Sequence, residues 1–431
     1  MSSPPHIAII GGGITGLCLA IGLQARSVPF TVYERARGAY EVGAGIGLSP
    51  NAEHSMKRLS PAVHAAYERV ANPNGEDYFQ WVDGLTREVM FRLFVGEGCF
   101  RGCRRSDFLD ELMGCLPDGA VRFGRALRDV VAREEDGGGV RLVFEDGTEE
   151  VADAVIGCDG IRSRVRELVF GPEKAATYSK KYSFRALIPM PEAQASLPEK
   201  MTSTRYMYNG PGAHVITYPV ANNTMLNTLA VVSDPEPWAA PEGARNPHVG
   251  SAARDEARAA FEGWHPDIQA VVDLLPREMD KWAIFDMLEH PVPRYHGEGA
   301  AGGRICLAGD AAHASGPHLG AGAGFGIEDA LLLAELLQAV QDGVAGGGDE
   351  GVSVGARLAA AFEVYSDMRY GRTQWLVKHT RDAVDLFQWW DRDLSRDPDG
   401  FGKEITWRFH EIWYYDIDKM VQDARQKLKA R

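Results

Sequence analysis

The sequence predicts an α/β protein in which a doubly wound unit is interleaved with a mainly antiparallel β-sheet domain and followed by a C-terminal helical region. Three stretches carry this expectation. Residues 6–34 read as strand, glycine-rich turn, helix and strand. Residues 182–232 are rich in Tyr, Thr, Val and Ile and are interrupted by turn dipeptides. Residues 362–431 have a helical pattern rich in Trp and Tyr. Helical and strand periodicities alternating along one chain are the signature of layered α/β architecture.

The elements follow in order. His6–Ile10 is a short buried strand, and Ile14, Leu17, Ala20 and Ile21 give helical spacing to residues 14–26. Phe30–Glu34 is a second apolar strand. A helix is expected over 52–69, a strand pair over 78–94 about Asp83-Gly84, and a helix over Ser106–Cys115 with Ser106 as its cap. Val140–Phe144 and Val151–Ile156 flank Asp146-Gly147, a hairpin signal. Further turns are expected at Asn209-Gly210 and Asn222-Asn223. Arg304–Leu307 returns as a buried strand, Gly324–Val340 is an apolar helix, and GVAGGGDEGVSVG (343–355) is a flexible connection. The chain is therefore expected to leave and re-enter one unit. Residues 1–75, 101–178 and 291–340 build the doubly wound unit, 76–100 and 179–290 the β-sheet domain, and 356–431 the helical region.

Composition narrows the function classes. The 431 residues are 45% hydrophobic and 25% charged, enough for a large core. A net charge of −14 argues against nonspecific binding to nucleic acid or anionic membrane. The cysteines at 18, 99, 103, 115, 158 and 306 form no CxxC pair, and no His supports Cys99 and Cys103, so no metal site is expected. Scattered thiols fit a reducing compartment. The start MSSPPHIAII lacks the features of a secretory signal, and no apolar run approaches the ~20 residues of a spanning helix. A cytoplasmic protein is expected.

Three constellations carry chemistry. In GGGITG, Gly11, Gly13 and Gly16 stand in GxGxxG phase between a strand and a helix. The first permits the tight turn, the second lets a pyrophosphate approach the backbone, and the third lets helix and strand pack closely. Glu34, 18 residues after Gly16, ends the second strand beside Arg35 and can accept hydrogen bonds from ribose hydroxyls. This Rossmann-like arrangement predicts dinucleotide binding without separating FAD from NAD. In AVIGCDGIRSRVRE (154–167), an apolar strand ends at Asp159-Gly160, with Ser163 and Arg166 beyond; alone, this reads equally as a common Asp-Gly turn. In the block 304–330, a strand ends at Gly309-Asp310 and a loop leads through Gly320, Gly322, Ala323 and Gly324 into a helix. Asp310 can bind a ribityl hydroxyl, and N–H groups at that helix start can face a reduced, anionic flavin ring.

In this order the three motifs resemble those of the single-component (group A) FAD-dependent aromatic hydroxylases, over almost the whole chain. Within that group the chain resembles the fungal salicylate-hydroxylase-like and dearomatising phenol monooxygenases. GAGIGLSPNA (43–52) is similar to the family's flavin-side loop, which gives Gly47 a place beside FAD and makes Gly43–Gly47 an allowance for flavin movement. RRSDFLDEL (104–112) is similar to the family helix whose arginine, here Arg105 after Arg104, reaches the flavin. The resemblance implies FAD as cofactor, NAD(P)H as co-substrate, O2 and a small phenolic substrate as partners, and hydroxylation through a flavin C(4a)-hydroperoxide.

It also implies that Arg185, in SFRALIP, and Tyr218, in HVITYPV, hold the substrate as its phenolate. Taken alone, an Arg on a strand is usually salt-bridged and a Tyr before Pro is usually core. Pro317 and its neighbours are expected over the flavin face. His313 and His318 are candidates for the pocket, with His313 more suited to holding its loop. Trp282, Phe285 and Met287 are candidates for its wall and equally for simple core. The outcome is left between simple hydroxylation, oxidative dearomatisation and salicylate-type decarboxylation, with a flavin oxidase or reductase as the alternative.

Overall fold

The computed structural model describes residues 4–38, 45–96, 99–133, 138–243, 246–297, 301, 303–345 and 352–431. It is a mixed α/β structure with a Rossmann-like parallel sheet, a large second sheet and C-terminal helices. The parallel sheet has five strands in the order Ile305–Leu307, Ala154–Gly157, Ile7–Ile10, Phe30–Glu34 and Val121–Phe123. Ile7–Ile10 and Ala154–Gly157 are buried at every position, as a sheet covered on both faces requires. The glycine-rich helix Ile14–Ala25 packs on the 24-residue helix Gly322–Ala345, which starts two residues earlier than the sequence predicts.

The expected hairpin about Asp146-Gly147 forms, but its second strand ends at Ala152 and does not run to Ile156. Glu149–Ala152 pairs with Val140–Phe144 and completes a three-stranded antiparallel sheet with Leu127–Ala132, whereas Ala154–Gly157 joins the parallel sheet. The chain changes sheets at Asp153. Its N–H donates to the His6 carbonyl, and its carboxylate accepts the His6 N–H at 2.8 Å. The expected helix over 52–69 is two helices, Pro50–Leu59 and Pro61–Val70, divided where Pro61 lacks a donor and Ser60 Oγ caps the second. Ser106 is not a cap: the helix runs Arg105–Met113, and Arg104 at the cap position is tied to Asp107 instead. The turn expected at Asn209-Gly210 moves to Pro211-Gly212, while Asn222 and Asn223 do adopt left-handed backbone. The helical tail begins at Val354 rather than 362. Part of the 343–355 connection, and Gly43 in the flavin-side loop, lie outside the described residues.

The second sheet has eight strands in the order Val249–Ala253, Glu278–Asp286, Thr177–Pro189, Met225–Ser233, Ala213–Val220, Tyr206–Gly210, Tyr78–Asp83 and Val89–Phe94. Segments 78–94 and 177–286 therefore share one sheet. Register decides which side chains share a face, because residues directly opposite each other point the same way. Arg185 pairs with Leu229, Leu229 with Ile216 and Ile216 with Met207. Two residues along each strand, Asn227 and Tyr218 stand on that same face. Short helices Met190–Ser196, Arg254–Ala260 and Pro266–Asp273 cover the other side, with Phe261, Trp264 and Ile268 in the core. The C-terminal helices Val354–Phe387 and Pro398–Trp413 close one end, where Phe401 and Phe409 pack on Trp81.

Candidate active site

The glycine-rich turn is fixed by contact. Gly11 has φ +108°, and a Cβ there would overlap the Cys158 carbonyl oxygen, so only glycine fits. No side chain caps the helix that follows, leaving its first N–H groups open to an anion. Above Gly13 there is room: a Cβ would meet only Arg105 Nη2, at 3.8 Å. Gly16 lies against Gly11. The Glu34 carboxylate is oriented by two backbone donors, Gly12 N–H at 2.7 Å and Ala36 N–H at 2.8 Å, and keeps lone pairs for further hydroxyls. Arg35 beside it is exposed.

The other two motifs are tied to this turn and to each other. The Asp159 carboxylate accepts from Ser163 Oγ at 2.6 Å and Arg164 N–H at 2.7 Å, so it shapes the start of the helix Arg164–Phe170. Gly160, at φ +78°, has no neighbour within 4 Å of a Cβ. Arg166 joins the two loops, donating to the Ala311 carbonyl at 2.9 Å and the Ile161 carbonyl at 2.5 Å. Gly309, at φ +61°, takes Thr15 against its Cα face and donates its N–H to Asp329 at 2.9 Å. Its neighbour Asp310 opens on the cleft, which Gly322 and Ala323 line at their helix start. An open helix N-terminus, space over Gly13, an oriented Glu34 and a carboxylate at Asp310 together fit FAD.

The cleft continues as a cavity of about 320 Å³ between this unit and the face of the large sheet that carries Arg185. Its lining includes Gly47, Arg105, Arg185, Tyr218, Asp310, Pro317 and His318. Arg185 donates to Ser183 Oγ at 3.3 Å and lies 5.1 Å from the Trp282 ring. Burial lowers its pKa, Tyr218 opposing and Arg105 adding to the fall. Burial pushes the Tyr218 phenol up to about 12, against the pull of Arg205 and Arg185. The Tyr218 hydroxyl makes no hydrogen bond among the described residues, and none joins it to Arg185; a common cavity brings the two together.

Some expected pocket residues lie elsewhere. Trp282 meets the site through Arg185, Phe285 stacks on His248 at 3.9 Å, and Met287 is wholly buried in the core of the parallel-sheet unit. Alternation identifies a strand's faces but not how far along the sheet a cavity extends. His313 is a loop anchor, bonded to Asp329 at 2.6 Å. His318 lines the cavity with its pKa held well below the ordinary value by burial, His214 adding to the effect.

Two features went unforeseen. Arg369, on the long C-terminal helix, bridges Glu328 and Asp329 at 2.6 and 2.7 Å, with none of the three exposed. Asp329 thereby connects the helical tail to Gly309 and His313. The other is Arg205, whose guanidinium lines the cavity beside Tyr218. The signal for it was present: the turn at Pro211-Gly212 centres a hairpin in which Tyr206 faces Thr217, so 205 faces 218.

A model of the FAD binding domain matches residues 5–349. An FAD-dependent monooxygenase of Aspergillus niger is 44% identical over 439 residues, covering 99% of this chain and 97% of that one. One from Monascus ruber is 45% identical, covering 99% and 97%. A salicylate hydroxylase of Sarocladium schorii is 39% identical, covering 99% and 92%. Among solved structures, a salicylate hydroxylase substrate complex superposes with a TM-score of 0.82 at 29% identity, covering 98% of each chain. Among the described residues, no helix is long and apolar enough to cross a membrane.

Proposed function

The chain belongs to the FAD-dependent monooxygenases of the salicylate hydroxylase type, and from that membership we propose that it consumes NAD(P)H and O2 to hydroxylate a phenolic ring bound as its phenolate by Arg185 and Tyr218. One observation carries the reading: this Arg and this Tyr open on the same cavity as Arg105, Asp310 and the helix start at Gly322. A ring held by the pair would lie beside the groups that fit the flavin. FAD, when bound, supplies electrons from NAD(P)H and activates O2. The chain supplies binding, exclusion of water and charge.

Electrophilic hydroxylation favours the electron-rich phenolate. A phenol ionises near ~10, so ionising it near pH 7 takes a shift of about 3 units, roughly 4 kcal/mol. A close arginine provides about 1–3 units of that shift. Tyr218, raised to about 12, keeps its proton at neutral pH. Its O–H therefore donates to the bound anion instead of repelling it. The oxygen is delivered to the carbon ortho to the phenolate of a fungal polyketide phenol. A methyl group on that carbon blocks rearomatisation and leaves a dienone; a carboxylate there departs as CO2.

Arg185→Ala tests the pair. With flavin still bound, hydroxylation of substituted resorcylaldehydes and salicylate should fall about 100-fold in kcat/KM, equivalent to about 3 kcal/mol of transition-state stabilisation. Retained turnover with an unchanged pH profile refutes the assignment. In the wild type, NAD(P)H oxidation that yields only hydrogen peroxide with every phenol tried would make the protein an oxidase instead.

A further inference from the structure

The cavity contains a second cation that the proposed pair leaves unused. Arg205 is only 3% exposed. Its guanidinium carbon lies 3.9 Å from the Phe100 ring centroid, 4.5 Å from Phe79 and 4.6 Å from Tyr218. Aromatic faces attract a cation but accept none of its in-plane N–H bonds. Nε is sealed from solvent with no hydrogen-bond partner, and no carboxylate pairs with the group among the described residues. Burial brings its pKa down to about 10, so the group stays charged at neutral pH.

Two other buried arginines of this fold are well satisfied. Arg369 reaches two carboxylates and the Phe325 carbonyl, and Arg166 reaches backbone carbonyls. A buried cation without an acceptor is costly, and an incoming anion relieves that cost. Two glycines also let Arg205 and Tyr218 reach the cavity. Gly47 and Gly102 face each other in the two-stranded ladder of Gly45–Leu48 and Arg101–Arg104. A Cβ at Gly47 would stand 2.9 Å from Arg205 Nη2, and one at Gly102 would stand 3.1 Å from the Tyr218 ring.

We propose that Arg205 is a second oxyanion subsite, taking a carboxylate or conjugated acyl oxygen of the substrate other than the hydroxyl held by Arg185 and Tyr218. It deepens the hydroxylase reading and rests on it for the first contact. Arg185 lies two strands to one side of Tyr218 and Arg205 one strand to the other. Three strand spacings, about 14 Å, and an offset of two residues along the strand, about 7 Å, separate the two backbones and leave room for a ring between the side chains. A substrate that engages both carries oxygen at two separated positions, which selects acylated or carboxylated phenols over simple ones.

Binding to the FAD-loaded enzyme without NAD(P)H, followed by the change in flavin absorbance, tests this with two probes: 2,4-dihydroxybenzoate, and resorcinol as the same ring without its carboxylate. Wild type should prefer 2,4-dihydroxybenzoate by about tenfold or more, the range of a charge-assisted hydrogen bond. Arg205→Met should abolish that preference while resorcinol binding is kept, and Arg205→Lys should restore part of it. Arg205→Gln must show the same selective loss, so a folding failure of the Met variant does not decide the matter. The subsite is overturned if wild type shows no preference or binds neither probe, or if the variants weaken both probes alike. Normal probe selectivity without hydroxylated product counts against the hydroxylase reading alone. Absent selectivity with normal turnover counts against the Arg205 subsite alone.

Discussion

Replacing Arg369 by methionine tests how the helical tail secures the cofactor-binding loops. The guanidinium is wholly buried and holds Glu328 and Asp329, also wholly buried, at 2.6 and 2.7 Å. Without it, Glu328 keeps Arg372 and Asn51, while Asp329 keeps His313 and the Gly309 N–H. Glu328 then keeps one arginine and Asp329 keeps none, in a region without solvent. Removing one partner of a buried ion pair costs about 3–5 kcal/mol. At about 2.1 cal/mol/K per residue, cooperative unfolding of this chain has an entropy of about 0.9 kcal/mol/K, so the melting temperature should fall by roughly 3–6 °C. Thermal melts followed by tryptophan fluorescence with saturating FAD measure the fall. Asp329→Asn in the same background should recover part of it, giving a double variant less damaged than the two single losses combined. A Met variant melting within about 1 °C of wild type, or losses that simply add, would refute this account of the network.

Gly47→Ala should raise KM for a phenolic substrate with FAD still bound. Its backbone has no left-handed strain, but the new Cβ would stand 2.6 Å from Phe100 and 2.9 Å from Arg205, overpacking worth about 1–3 kcal/mol; an unchanged KM refutes this. His214 should make the fold acid-sensitive. Burial, with Lys181 adding, holds its pKa down to about 3, whereas the unfolded chain takes up the proton near 6.5. Between these values the unfolded state binds more protons, so stability falls as pH falls, by up to about 1.4 kcal/mol per pH unit. In urea melts, the stability difference between wild type and His214→Gln should shrink from pH 7 to pH 5; a constant difference disproves it.

What could be read from the sequence was what short-range chemistry encodes. The strand–turn–helix at Ile7–Ala25 needs glycine at 11 for a reason local to the turn, whereas Arg185 and Tyr218 are reached through the family resemblance, their strands being joined through the distant Met225–Ser233. Missed features depended on partners far along the chain. The run Val151–Ile156 looks continuous because both halves are apolar; only His6, 147 residues away, shows why Asp153 divides it. Arg369 resembles any polar residue on a helix until Glu328 and Asp329 are brought against it. Arg205 was within reach of the same arithmetic that links Tyr206 to Thr217, had the hairpin been centred at Pro211-Gly212 rather than Asn209-Gly210.

The strand order has a consequence for biosynthesis. Ile7–Ile10 leaves the ribosome well before one of its sheet neighbours, Ala154–Gly157. At about 5–20 residues per second, that neighbour follows roughly 7–30 s later. The outer strand Ile305–Leu307 comes later still, and the charge on Asp329 waits for Arg369. The parallel sheet therefore cannot be completed until about seven-tenths of these residues have been made. Until Ala154–Gly157 is made, one edge of the apolar strand Ile7–Ile10 stays open, and wrong pairing at that edge competes with folding.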